Sequence, residues 1–342
     1  MLQQTQVKTV MPFWNRWLRE LPTIAAAAQA PSATIHKLWE GLGYYTRVRN
    51  LQKAAQVIGE KHGGKFPENF DEILALPGIG RYTAGAICSI AFNQPTPLLD
   101  GNVIRVLTRI FGIGENPKDK ATNAKLWKLA EELVTHAKGA KSAKVFPPLR
   151  PWHSLRANNS CSFLNQSLME LGALVCTPRN PQCLICPVKK LCVALKENRT
   201  EELPNLGKRE AATARRFLAF VIDHRGKFLV HQRPAGVVNA HLWEFPNVEV
   251  GTRRCEPQEI FSELDALRVV DPRSEKITPF CTLKHSITRY RITLDAFLVS
   301  LKAQPAKADG VWIAPEKFDS LAFSSAHKKL ASAAAKSILF DR

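Results

Sequence analysis

No run of about 18 apolar residues occurs anywhere in the 342-residue sequence, so nothing in it reads as a membrane-crossing helix. Internal repeats and low-complexity tracts are also missing, which sets repeat architectures aside. Acidic residues are few: 30 Asp and Glu face 48 Lys and Arg, a net charge of +18. The surplus is uneven, because residues 1–200 hold 26 basic and 13 acidic side chains and so carry +13 of it. A positive field concentrated on one part of a chain is what a phosphate-rich partner selects. The length suits two domains, and 45% hydrophobic residues can give each a core.

Eight cysteines are present, and four of them, Cys176, Cys183, Cys186 and Cys192, follow the spacing C-x6-C-x2-C-x5-C. Nothing reads as a secretory signal, and Cys88, Cys161, Cys255 and Cys281 are scattered, so a disulfide framework is not expected. Four thiolates within seventeen residues can instead enclose zinc or an iron–sulfur cluster. Zinc sites more often pair their ligands in two short knuckles, whereas only Cys183 and Cys186 form one here, which favours a [4Fe–4S] cluster. Arg179, Lys189 and Lys190 lie in the same loop and suit phosphate contact.

Apolar residues recur at three- and four-residue intervals over Val10–Leu21, Ala33–Leu42, Leu51–Lys61 and Ala121–Thr135, which predicts helices. Segment 136–160, with its prolines, basic residues and lack of period, reads as an insertion. Residues 193–213 read as a linker. Beyond it Phe217–Ile222, Lys227–His231, Tyr290–Leu298 and Gly310–Ile313 read as strands, with helices at Pro257–Leu267 and Ala326–Ile338. The expected organisation is a mainly helical domain over 1–192, a linker over 193–213 and an α/β domain over 214–342.

The stretch Leu76-Pro-Gly-Ile-Gly-Arg81 separates two short helical patterns. Its glycines permit a tight reversal, and free amides at the start of the second helix bind a phosphate without reading a base. Leu76, Gly78, Gly80 and Arg81 are therefore candidate DNA-backbone contacts. About twenty residues on, Asp100 precedes Gly101-Asn102; taken alone, an Asp at such a place is a turn or N-cap residue.

Together the helix–hairpin–helix, Asp100 within Leu98-Leu-Asp-Gly-Asn-Val-Ile-Arg105, and the cysteine loop resemble the endonuclease III superfamily of DNA glycosylases. Within it the sequence is similar to the MutY family of adenine glycosylases. Met1-Leu-Gln-Gln-Thr-Gln-Val7, Gly41-Leu-Gly-Tyr-Tyr45, Asn165-Gln166 ahead of Leu171-Gly172, and Leu242-Trp-Glu-Phe-Pro246 carry that likeness. It implies a helix–hairpin–helix glycosylase domain with a [4Fe–4S] loop and a C-terminal Nudix-like domain. It also implies base-excision repair of adenine mispaired with 8-oxoguanine or guanine in double-stranded DNA, by a monomer without membrane attachment. The compartment would be the bacterial cytoplasm and nucleoid, or the eukaryotic nucleus or mitochondrion.

The resemblance assigns roles by position. Lyase members of the superfamily carry a Schiff-base Lys after the Gly-x-Gly-Arg turn; Tyr82 stands there, so base release without strand cleavage is expected. Asp100 becomes the carboxylate that stabilises an oxocarbenium-like sugar. Tyr44 becomes the wedge entering the base stack; Gln4 and Gln6 lie beside the orphaned base, and Asn102 and Gln166 near the everted adenine. Arg105 and Arg109 share a helical face and would either set the field near Asp100 or form an ion pair. The family's general acid is a Glu two residues before its Met-Leu-Gln-Gln, ahead of Met1, so the sequence as read is expected to release adenine poorly or to act as a non-catalytic lesion-binding fragment. The C-terminal domain lacks the Glu-rich helix of a Nudix hydrolase at Pro257–Leu267 and is not expected to turn over nucleotides. Ile287, Thr288 and Arg289 occupy the family's Phe-Ser-His lesion-reading loop and depart from it at all three positions; Thr288 and Arg289 remain candidate contacts.

Overall fold

The computed structural model describes residues 1–2, 5–138, 160–208, 210–253, 255–267, 276–287, 289–303, 305 and 309–340. Most of the expected insertion, Gln4 and Thr288 lie outside the described residues. Two compact units form: Lys65–Arg209, and Met1–Gly64 together with Glu210–Arg342.

The first of these units is helical. It contains α5 (Phe70–Leu74), α6 (Arg81–Phe92), α7 (Gly101–Phe111), α8 (Lys120–Lys138), α9 (Ser160–Glu170) and α10 (Val193–Lys196), the numbering beginning with the four helices of the other unit. Val103, Val106 and Leu107 of α7 meet Leu126, Ala130 and Val134 of α8 and Leu164 and Leu168 of α9 in one core. Each such aliphatic side chain contributes roughly 1.5–3 kcal/mol on burial, so α7 is held along its length. A smaller core of Ile73, Ala84 and Cys88, flanked by Phe66, Phe70 and Phe92, fixes α5 against α6. The first half of the expected linker is folded here. Val193–Lys196 is helical, and Ala194 and Leu203 are buried.

The second unit begins with α1 (Val7–Glu20), α2 (Ile24–Gln29), α3 (Ser32–Trp39) and α4 (Tyr45–Lys61). Its sheet comprises β1 (Thr213–His224), β2 (Lys227–Gln232), β3 (Trp243–Glu244), β4 (Asn247–Val250), β5 (Lys276–Ile287), β6 (Tyr290–Ser300) and β7 (Val311–Ile313), with helices α11 (Pro257–Ala266) and α12 (Ser325–Phe340). The main order is β3-β2-β1-β6-β5, with β4 pairing β1 and β7 pairing β2; β1 and β6 are parallel. Both faces are covered, which explains the unbroken apolar run in β1. Ala219 and Val221 face the α12 side with Leu330, while Leu218, Phe220 and Ile222 face Leu264 of α11. The Nudix-like part also joins the N-terminal helices, since Leu242 and Ala322 belong to the core of Trp17, Ile35 and Trp39.

Sequence periodicity missed β5, the twelve-residue partner of β6, as well as the short strands β3 and β4. In β5 inward and exposed positions alternate over 281–287, but a His takes an inward position there and Phe280-Cys281 breaks the alternation before it, so the strand's period is short and easily missed. The expected lesion loop is correspondingly tight: Ile287 pairs with Tyr290 across the two residues between β5 and β6.

Candidate functional site

Local chemistry builds the α5–α6 hairpin. The Asn69 side-chain oxygen accepts from the backbone N–H of Asp71 at 2.8 Å and of Glu72 at 3.3 Å, starting α5. After Pro77 the chain reverses through Gly78 at φ +77°, a conformation that strains residues with a side chain. Ile79 N–H donates to the Leu76 carbonyl at 3.1 Å, closing the turn. Gly80 is the N-cap of α6 and offers no side chain to its first amides. Leu76 itself is 2% exposed, which leaves only its backbone for an external ligand. Arg81 stacks over Trp127 at 4.0 Å from the ring centroid, placing a cation at the helix start.

Asp100 is the N-cap of α7. Its Oδ1 accepts from Val103 N–H at 2.7 Å, and Oδ2 accepts from Asn102 Nδ2 at 3.3 Å. Tyr82 is its neighbour: burial chiefly, and then the Asp100 carboxylate, push the phenol up from its ordinary pKa and keep it neutral. The Tyr82 hydroxyl donates to Met169 Sδ at 3.8 Å. The structure thus brings Asp100, Tyr82 and Asn102 together.

Of the two alternatives for Arg105 and Arg109, the ion pair is not formed: among the described residues neither meets a carboxylate, while Arg105 reaches Asp100 through Asn102. Arg105 donates to the carbonyls of Gly172 (2.6 Å) and Cys176 (2.7 Å) and to Asn102 Oδ1 (2.9 Å). Arg109 donates to the carbonyls of Thr177 (2.7 Å), Leu203 (2.8 Å) and Pro178 (3.2 Å) and to Cys176 Sγ (3.3 Å). A guanidinium has five donors and suits a loop rich in unpaired carbonyls. Two arginines four residues apart within the apolar sequence of α7 were the available clue. Leu171–Val175 is a π-helical turn after α9. Gly172 lets that turn approach, since a Cβ there would lie 2.7 Å from Asn102 Cβ.

The four motif cysteines occupy the loop that Arg109 grips, with 3₁₀ turns at Cys183–Ile185 and Lys189–Leu191. Burial first, and the neighbouring sulfurs in addition, raise the thiols of Cys183, Cys186 and Cys192. Four sulfurs that sense one another, with a guanidinium donating to one of them, form a donor set that fits a thiolate-held cluster. Among the described residues no three His, Cys, Asp or Glu groups converge as ligands of one ion do.

Other predicted residues lie elsewhere. Gln166, on α9 of the same unit, is exposed and donates to Ser162 Oγ at 2.9 Å. Tyr44, Gln6 and Arg289 belong to the other unit. Tyr44 is 55% exposed in a left-handed conformation ahead of α4, with Arg47 over its ring. Gln6 precedes α1. Arg289, between β5 and β6, pairs with Glu210 at 3.4 Å and lies over Tyr290.

An amide-rich hairpin, an Asp-capped helix beside it and a four-cysteine loop define a DNA base-excision repair enzyme of the helix–hairpin–helix class. Residues 1–132 match the HhH-GPD superfamily of base excision DNA repair proteins, 176–192 the iron–sulfur binding domain of endonuclease III, and 218–333 the NUDIX domain. The human adenine DNA glycosylase is 32% identical over 96% of this chain and 66% of its own length. That of Buchnera aphidicola subsp. Schizaphis graminum is 33% identical over 91% and 82%, and that of Rattus norvegicus 33% over 96% and 69%. A solved thermostable thymine-DNA glycosylase aligns with 57% of this chain and 80% of its own at 28% identity, TM-score 0.46. The chain belongs to the adenine DNA glycosylase (MutY) family, whose cofactor is a [4Fe–4S] cluster.

Proposed function

We propose that the protein hydrolyses the N-glycosidic bond of adenine mispaired with 8-oxoguanine or guanine in duplex DNA and leaves the strand uncut. One observation carries the reading: the Asp100 carboxylate is fixed by Val103 N–H and Asn102, and a phenol, Tyr82, stands where lyase relatives carry an amine. A carboxylate held in place before reaction stabilises positive charge on the sugar as the base departs. With a phenol in place of the amine, no Schiff base forms and water completes the reaction.

The remaining assignments follow from position. Backbone amides around Gly78, Gly80 and Arg81 would hold a phosphate beside the everted nucleotide. Tyr44 would fill the stack, Gln4 and Gln6 would face the orphaned base, and Asn102 and Gln166 would face adenine. Cys176, Cys183, Cys186 and Cys192 would hold the cluster, which when bound cross-links the loop against Arg109. Thr288 and Arg289 would read the damaged purine. Residues 1–192 are thus the catalytic part and 214–342 the lesion-reading part, joined through 193–213.

The test uses a duplex carrying A opposite 8-oxoguanine. Adenine loss that becomes a strand break only after alkali is expected. Efficient borohydride trapping of a protein–DNA adduct would contradict the role given to Tyr82.

A further inference from the structure

Helix α12 has two faces of different chemistry. Ala326, Leu330, Ala331 and Ala334 are buried in the core. On the other face Ser325, Lys328, Lys329, Ser332 and Lys336 line a cavity of about 500 Å³ opposite Glu40 and Gly41, all within one unit. These positions recur every three or four residues and so form one stripe. Glu40 is the one carboxylate in the wall, and it is already engaged: it accepts from Lys37 at 2.8 Å, Lys328 at 2.5 Å and Phe323 N–H at 3.0 Å. Lys329 and Lys336 make no ion pair among the described residues. Among the described residues, then, no carboxylate pairs with these two positive charges.

Packing relates the cavity to the β5–β6 hairpin: Leu330 and Ala331 of α12 share a core with Phe280, Cys281 and Leu283 of β5. Lys329, beside Leu330, adds to burial in disfavouring the His285 imidazolium. His285 is in β5, two residues before Ile287, where the strand turns into β6 and Arg289 is exposed. Two turns of helix separate Lys329 from Lys336, about 10 Å along the axis. That span covers roughly three nucleotides of one strand at about 3.4 Å each, so the two ammonium groups reach two different phosphates.

We propose that the α12 groove seats two backbone phosphates of the strand that carries the damaged purine, beside the β5–β6 hairpin. The proposal rests on the reading of this protein as a mispair glycosylase, and its test separates the two. Binding to duplexes with A opposite 8-oxoguanine, and to the same sequence fully paired, is followed by fluorescence anisotropy across a salt series. Lys329→Ala/Lys336→Ala should flatten the slope of log K against log salt by about 1.8, two phosphates at about 0.9 each. Lys329→Arg/Lys336→Arg should restore it. Lys227→Ala/Lys276→Ala removes the same charge where β2 begins and β5 begins, the latter opposite Ser300 and so at the other end of the sheet from the hairpin; it should change the slope by less than half as much. An unchanged slope in the first double variant, or an equal change in the control, would overturn the groove. Loss of preference for the lesion duplex in the unmutated protein, with the slope change intact, would instead refute the mispair reading and leave the phosphate seat standing.

Discussion

Asp100 caps α7 and, on the function proposed above, also stabilises the departing sugar; a single substitution can separate the two roles. Its Oδ1 caps α7 at 2.7 Å from Val103 N–H, and an Asn side chain caps about as well as Asp. Asp100→Asn should therefore leave thermal unfolding nearly unchanged and duplex binding intact, while slowing adenine release by at least ~10²–10³, the scale of losing one preorganised electrostatic group. Asp100→Ala should lose the same activity and about 1 kcal/mol of stability as well. An Asn variant with unmutated rates, measured by single-turnover release of adenine, would reduce Asp100 to a cap. The sequence alone offered the cap and the catalytic carboxylate as rival readings, and the geometry accommodates both at once.

At the scale of elements, α7 and the π-turn after α9 carry the site between them. Gly172→Ala would set a Cβ 2.7 Å from Asn102 Cβ. Overpacking of this kind costs about 1–3 kcal/mol, and relief by moving α7 or Asn102 disturbs the hydrogen bond to Asp100. A lower unfolding temperature with a fall in adenine release and little change in duplex binding is expected; unchanged melting would show that the turn yields freely. The hairpin and the start of α7 were legible because their signals are local: Pro77 and Gly78 for the reversal, Asp100 before an apolar run for the cap. The roles of Arg105 and Arg109 were not, because most of their acceptors lie 67 to 94 residues further along the chain. Strand β5 escaped for a related reason, since its pairing with β6 rather than its own pattern fixes it.

For the molecule as a whole, acid should weaken the unit that holds the sheet. His327 is fully buried, and its Nδ1 accepts from Phe245 N–H at 3.1 Å, which requires the neutral ring. Burial, only partly offset by Glu244, brings its pKa down to about 4 from an ordinary 6.5. Between those values the unfolded chain binds a proton that the folded chain refuses, so stability falls as pH drops from about 6.5 toward 4. His327→Asn keeps an acceptor for Phe245 N–H without a titrating ring. It should flatten this part of the stability–pH curve in denaturant unfolding, whereas an unaltered curve would show that other groups govern the acid response. Glu40 acts lower on the scale. Burial would raise its pKa, but the bonds from Lys328, Lys37 and Phe323 N–H together lower it, so its contribution is present above the ordinary carboxylate range and is lost only on further acidification.

The most direct measurement of the central claim is the quantity of free adenine released from a duplex with A opposite 8-oxoguanine, compared with the same duplex bearing A opposite T. It is made with the protein and with its Asp100→Asn variant. The account predicts adenine from the mispaired duplex only, an intact strand until alkali is added, and near-complete loss of release in the variant. Release from both duplexes alike, or undiminished release by Asp100→Asn, would contradict it.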